Sequence, residues 1–235
     1  VLSPIFDIAR DPRWGRTEET FGEDTYLVME LGCAYTRGVQ AEGVLACGKH
    51  LVGHGMPEGG MNRAPTHIGP RELREQYLLP FEAAVREERL GTMMHAYGEI
   101  DGQPCVSSRE LLTGILRDEW GFEGVVVSDY DGVNELVVSH QVTSDLAVAA
   151  TLALTAGMDM ELPRTIASGE HLERALGEGL LAESVLDLAV SRVLRVKFEM
   201  GLYDAEDRPF VAIDPTAERD QALRIARDSI VLLEN

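Results

Sequence analysis

The run Gly124-Val125-Val126-Val127-Ser128-Asp129-Tyr130 sets a carboxylate where chemistry is easily done. Three β-branched residues after a Gly read as a strand buried on both faces, because such side chains pack well on a fully covered pleat. The apolar run then ends on a hydroxyl, a carboxylate and an aromatic ring. In parallel α/β architectures ligands gather at the carboxyl ends of strands, so Asp129 is a candidate nucleophile, general base or metal ligand. Its ordinary alternative is to cap the next helix. Other strand-like runs end in similar company: Val44–Cys47 leads to Gly48-Lys49-His50 and His54, and Thr92–Ala96 leads to Tyr97. Near Ile5–Ile8 lies Asp11-Pro12-Arg13-Trp14-Gly15-Arg16. An adjacent Lys-His pair offers hydrogen-bond donors suited to sugar hydroxyls. Lys49 and an Arg would also hold a nearby carboxylate ionised, as a nucleophile requires. Each residue alone has a plainer role: a structural His, arginines in surface ion pairs, a core Tyr with its hydroxyl satisfied. His50, His54 and Asp129 could ligate a metal, yet no His-x-His or His-Glu-x-x-His spacing supports one.

For these groups to meet, the strands that carry them must be parallel neighbours. The apolar runs Ile5–Ile8, Val44–Cys47, Thr92–Ala96, Val125–Val127 and Met158–Leu162 alternate with helix-length amphipathic segments. Arg71–Glu88 repeats apolar residues at three- and four-residue steps, from Leu73 to Val85. Ser107–Trp120 opens with a capping-box pattern of Ser107 and Glu110. Ser184–Met200 carries an apolar face and meets a helix-stopping Gly201. Such alternation predicts a parallel sheet, either a (β/α) barrel or an open doubly wound sheet. The Asp- and Pro-rich stretch Tyr203–Pro215 reads as a linker or domain-edge loop.

Composition narrows the partners. A chain of 235 residues, 45% hydrophobic and 26% charged, has the make-up of a protein with a sizeable core. Its formal net charge of −19 repels phosphate backbones and anionic lipid, which argues against nucleic acid or a membrane as partner and suits a neutral ligand. No apolar run approaches the ~20 residues of a membrane helix. Cys33, Cys47 and Cys105 are widely spaced and odd in number, against a disulfide framework or a cysteine zinc site. The chain opens directly into Val1–Ile8 and stops on the strand-like Ser229–Asn235, so the expectation is a fragment of a longer protein.

Taken together, the segments resemble glycoside hydrolase family 3, the β-glucosidase and β-xylosidase family. The resemblance rests on Asp11-Pro12-Arg13-Trp14-Gly15-Arg16 with Glu19, Phe21-Gly22-Glu23-Asp24, Gly48-Lys49-His50 and Gly69-Pro70-Arg71-Glu72-Leu73. It continues through Leu79-Pro80-Phe81, Met94–Tyr97, Asp101-Gly102-Gln103-Pro104 and Leu116–Phe122 to Val127-Ser128-Asp129-Tyr130. Ala156-Gly157-Met158-Asp159, Val193–Phe198 and Ser229–Asn235 complete it. The order is correct over nearly the whole chain, which makes the set far more specific than any single motif.

The resemblance implies a (β/α)8 TIM-type barrel that is incomplete here, with residues 1–202 as its C-terminal portion, 203–228 as linker and 229–235 as the truncated first strand of an α/β sandwich domain. It implies a retaining exo-β-glycosidase acting on terminal β-linked glucose or xylose, on oligosaccharides or aryl and alkyl glycosides, with no cofactor or metal. Asp129 would be the nucleophile. Lys49 and His50 would bind sugar hydroxyls, joined by an Arg of the Pro-Arg-Trp-Gly-Arg segment, with Arg16 favoured. Tyr97 would stand close to the nucleophile, and Tyr130, where many members have Trp, would line the mouth. Many relatives carry an Arg soon after the Gly-Gly of the next loop; here Gly59-Gly60 is followed by Met61-Asn62-Arg63, so Arg63 is the candidate. The acid/base Glu of the family is expected outside this chain. Three alternatives stand beside this reading, one of them an unrelated metal-dependent barrel hydrolase. The β-N-acetylhexosaminidase branch uses a His proton donor, but Lys49-His50-Leu51-Val52-Gly53-His54-Gly55-Met56 lacks its Pro and Asp. The third is a sugar-binding barrel without turnover.

Overall fold

The computed structural model describes residues 1–204, 212 and 214–234. The chain divides into two units, Val1–Met200 and Gly201–Asn235.

In the first unit, a short 3-10 turn over Thr17–Glu19 precedes helix α1 (Thr25–Ala41), whose Asp24 cap accepts a hydrogen bond from Leu27 N. Strand β1 (Cys47–Leu51) follows, then a helical turn α2 (Pro70–Glu72), a π-type turn over Leu73–Tyr77 and helix α3 (Leu79–Glu88). The single helix expected over Arg71–Glu88 is therefore broken at Leu78. Pro80 has no N–H and crowds the carbonyl four residues earlier, so the preceding turn widens and Leu78 N bonds Leu73 O instead. Strand β2 (Thr92–His95) leads into a small antiparallel hairpin, β3 (Glu99–Ile100) with β4 (Gln103–Pro104). The next helix spans Glu110–Glu119 with π-type winding. The cap expected of Ser107 falls one residue later: Ser108 Oγ accepts from Leu111 N, while Ser107 Oγ turns back to Pro104 O. Strand β5 (Val125–Val127), the turn α4 (Glu135–Val138) and helices α5 (Leu146–Ala156), α6 (Glu170–Gly177) and α7 (Glu183–Glu199) complete the unit.

Strands β1, β2 and β5 form one parallel sheet in that order. Parallel bridges Ile5↔Lys49 and Val127↔Met160 extend it at both sides. The predicted strand runs thus lie side by side in sequence order, and because all are parallel their carboxyl ends share one edge. One run is displaced: the strand predicted over Val44–Cys47 forms over Cys47–Leu51. Lys49 and His50 are therefore inside the strand rather than after it, and the register shifts between Gly48 and Leu51. Such irregularities re-aim side chains and terminate pairing.

Alternation along the strands separates two apolar faces. Phe6, Met93 and Val126 pack outward against the helices, in one cluster with Val28, Phe81 and Leu112. Cys47, Met94, Val125 and Val127 form the opposite face with Met160, Leu162, Val193 and Val196. Gly32 lets α1 lie directly on the Phe6 ring, since a Cβ there would fall 2.2 Å from Phe6 Cε1. Arg117 and Arg192 both pair with the buried Asp159, at 2.6 and 3.0 Å, tying the Glu110–Glu119 helix and α7 to the turn after α5.

The second unit contains helix α8 (Pro215–Asp228), capped by Asp214. Residues 230–234 form no regular element, and Ile230–Leu233 are exposed. Most of the stretch read as a linker, residues 205–211 and 213, lies outside the described residues. No helix among the described residues is long and apolar enough to cross a membrane.

Candidate active site

Asp7, following the Ile5 bridge, is buried at 2% exposure. Its Oδ2 accepts two hydrogen bonds from one residue, His50 N at 3.0 Å and His50 Nδ1 at 2.7 Å. The other ring nitrogen, His50 Nε2, lies 3.5 Å from Asp129 Oδ2. Three neighbouring parallel segments therefore meet in a line of buried polar groups, Asp7–His50–Asp129. Asp129 is oriented from its own backbone, with Oδ1 accepting from Tyr130 N at 2.7 Å. Tyr97 closes the next strand end by donating its hydroxyl to Tyr130 O at 2.7 Å.

A second layer wraps this line. His54 stacks at 4.6 Å between centroids on His50, meets Trp14 edge-on at 5.1 Å and lies 5.9 Å from Tyr97. Gly55 permits this loop to press on the first strand segment, where a Cβ would come within 2.4 Å of Ile8 O. Arg16 is clamped by Glu19 at 2.7 and 2.9 Å and points Nη1 to within 3.4 Å of His54 Nε2. Arg13 instead pairs with Asp11 and is exposed, so Arg16 is the arginine of that segment that faces the site. Trp14 Nε1 donates to Asn62 Oδ1 at 2.9 Å, anchoring the loop that carries Arg63. The Arg63 guanidinium sits 5.2 Å from the Tyr97 ring centre and 3.1 Å from Glu135 Oε1. Lys49 is half-buried in β1, and its charge favours the ionised form of Asp7 and Glu19.

The structure thus brings Asp129, His50, Arg16, Arg63, Tyr97 and the Tyr130 backbone together; Tyr130 as a whole is 48% exposed. Glu58 and His67 line a separate surface cavity with Asp11 and Arg13. Sequence reasoning missed Asp7 and Glu135, and gave Glu19 only as part of the family motif. Asp7 carried the same signal as Asp129, a carboxylate after apolar strand residues, but Ile8 behind it made the whole stretch read as strand interior. Among the described residues, no group of three or more His, Cys, Asp or Glu is arranged to hold a metal ion.

Burial governs the charges. It raises Asp7 to about 6, against the pull of His54, the His50 N–H, Arg16 and Lys49. It lowers His50 and His54 to about 3 each, and His95 in the same direction. At neutral pH the arrangement is an ionised Asp7 beside neutral imidazoles.

These shifts predict an acid limit on the fold. A His with a depressed folded pKa contributes stability fully above its unfolded value near 6.5 and loses it as pH falls toward about 3. Asp7 works the other way, its burial penalty easing as pH falls from about 6 toward 3.8. Two imidazoles outweigh one carboxylate, so a net loss of roughly 2 kcal/mol is expected between about pH 7.5 and pH 5. Thermal melts of the complete protein should show this as a lower Tm at the acidic end. A flat Tm across that range would mean that both imidazoles take up protons in the folded state.

Residues 1–196 match the Glycosyl hydrolase family 3 N terminal domain. The chain belongs to glycosyl hydrolase family 3. It is 38% identical to a β-xylosidase of Formosa agariphila, over 99% of this chain and 35% of that protein. It is 35% identical to a periplasmic β-glucosidase of Salmonella typhimurium, over 99% of this chain and 32% of that protein. Among solved structures, the β-glucosidase of Listeria innocua in complex with isofagomine superposes with a TM-score of 0.94 at 33% identity, covering 100% of this chain and 34% of the other. The chain thus spans about a third of the length of the relatives it matches. The family 3 architecture here is α/β, of the TIM-barrel type.

Proposed function

We propose that this chain supplies the nucleophile and much of the sugar pocket of a retaining exo-β-glycosidase that removes terminal β-linked glucose or xylose. The observation that carries the reading is Asp129 Oδ2: buried, at a strand end, facing His50 Nε2, with no hydrogen-bond partner among the described residues. A buried carboxylate oxygen without a partner is costly unless a ligand uses it. In the proposed reaction Asp129 Oδ2 attacks the anomeric carbon as the bond to the leaving oxygen breaks. A carboxylic acid beyond this chain protonates that oxygen, and water then cleaves the glycosyl ester, with that acid's conjugate base taking the water's proton. Burial disfavours the imidazolium form of His54, which argues against it as the acid of this step. The relatives named as β-glucosidases and β-xylosidases support the choice of sugars.

This reading treats residues 1–202 as part of a barrel that closes with strands outside the chain, and 229–235 as the start of a second domain. Among the described residues, the parallel segments from Ile5 to Met160 fall short of the eight strands of a closed barrel.

The stereochemistry of the first product tests the function. The complete protein, given aryl β-glucoside or β-xyloside, should release the β-anomer first by NMR. Release of the α-anomer would rule out a covalent Asp129 intermediate.

Lys49 and His50 are read as ligands of sugar hydroxyls that strengthen their hold in the transition state. Lys49→Ala and His50→Ala should each lower kcat/KM by roughly 10²-fold, alike on nitrophenyl and alkyl glycosides. Damage confined to alkyl glycosides in His50→Ala would make His50 a proton donor instead.

A further inference from the structure

Asp7 forms and breaks no bond in this reaction, yet neither its side chain nor that of His50 is reached by solvent. An ionised carboxylate has no proton to offer, so the 2.7 Å contact with His50 Nδ1 requires that Nδ1 carry one. A neutral imidazole then presents its lone pair at Nε2. That lone pair faces Asp129 Oδ2, another acceptor, at 3.5 Å, and neither atom has a hydrogen-bond partner in the protein among the described residues. A donor shared by both would reconcile two acceptors so placed.

We propose that Asp7 is a positioning residue that fixes His50 as its Nδ1–H tautomer, so that His50 Nε2 and Asp129 Oδ2 together select a glycoside offering a donor hydroxyl between them. The inference rests on the sugar-pocket reading above and deepens it. The opposite tautomer would point Nε2–H at Asp129 and engage the oxygen that must attack. Asp7 therefore does two things at once: it makes His50 a reader of a ring hydroxyl, and it prevents His50 from occupying the nucleophile. The charges around the pair agree with this state. Burial works against an ionised Asp7, while the His50 N–H, Arg16 and Lys49 favour it. Burial, Arg16 and Lys49 favour a neutral His50 against the pull of Asp129 and Glu19.

The decisive measurement is the tautomer itself. Ring-¹⁵N-histidine labelling of the complete wild-type protein at pH 7.5, with the His50 signal assigned by its absence in His50→Gln, should show a protonated Nδ1 and an unprotonated Nε2. An Nε2–H tautomer or an imidazolium at that site would overturn the proposal, whether or not any variant folds. The second measurement is a cycle between Asp7→Asn and a set of monodeoxy aryl glycosides. Asp7→Asn keeps an acceptor but removes the charge that enforces the tautomer, and should lower kcat/KM on the parent glycoside by roughly 10–100-fold. At one ring position, loss of the hydroxyl should cost wild type roughly 10²-fold and the variant at least tenfold less. A penalty unchanged in Asp7→Asn at every position would also overturn the proposal. Absence of glycoside hydrolysis by the wild-type protein would instead end the functional reading, while the histidine spectrum would still report the tautomer.

Discussion

Asp129→Asn is expected to lower kcat of the complete enzyme by about 10³-fold or more on aryl β-glucosides or β-xylosides, with the fold retained. The large effect follows from the loss of the covalent route: an amide oxygen is a far weaker nucleophile than a carboxylate. The retained fold follows from the local geometry. The Asn carbonyl can take the place of Oδ1 and keep the hydrogen bond from Tyr130 N. Its NH2 then replaces Oδ2 and faces the unpartnered lone pair of His50 Nε2, turning an acceptor–acceptor contact into a hydrogen bond. The variant should therefore melt no lower than wild type at neutral pH. Near-normal turnover in protein free of contaminating glycosidase would sink Asp129 as nucleophile. A sharply lowered Tm would show instead that its charge is structural.

The second large effect concerns the chain by itself. Residues 1–235 alone should show no measurable hydrolysis of alkyl glycosides and should aggregate, and turnover should appear only with the rest of the barrel and the following domain. Among the described residues, the outer segments at Ile5 and Met160 each pair on one side only, leaving backbone donors and acceptors as open edges. Leu188, Leu194 and Phe198 on α7 are exposed as well. Ile230–Leu233, 73–93% exposed, add a further apolar run of the kind that pairs with other chains. The pocket would also lack its proton donor, which alkyl leaving groups need far more than nitrophenyl ones do. Robust turnover of an alkyl glycoside by the chain alone would place the donor within it, with His54, Glu58 and His67 the first residues to replace.

What the sequence determined by itself is the local pattern and the family. Val125–Val127 reads as a buried strand because β-branched runs have few other uses, and the segments from Ile5 to Met160 could be ordered as parallel neighbours from their alternation with helices. Asp129 stood out because it interrupts such a run. Tertiary structure alone decided which polar atoms meet. His50 and Asp7 are 43 residues apart, and His54 and Arg16 are 38 apart. Nothing local to either member of a pair encodes its partner. Tertiary structure also moved β1 forward so that Lys49 and His50 interrupt the ladder, broke the predicted helix at Leu78, and set Arg63 between Tyr97 and Glu135. The physical reason is one of range. Hydrophobic burial follows periodicities of two and 3.6 residues and can be read along the chain. A buried carboxylate or imidazole is stabilised where distant strands deliver a complementary atom within about 3 Å, as Asp7 and His50 do for each other, and that match exists only once the sheet has formed.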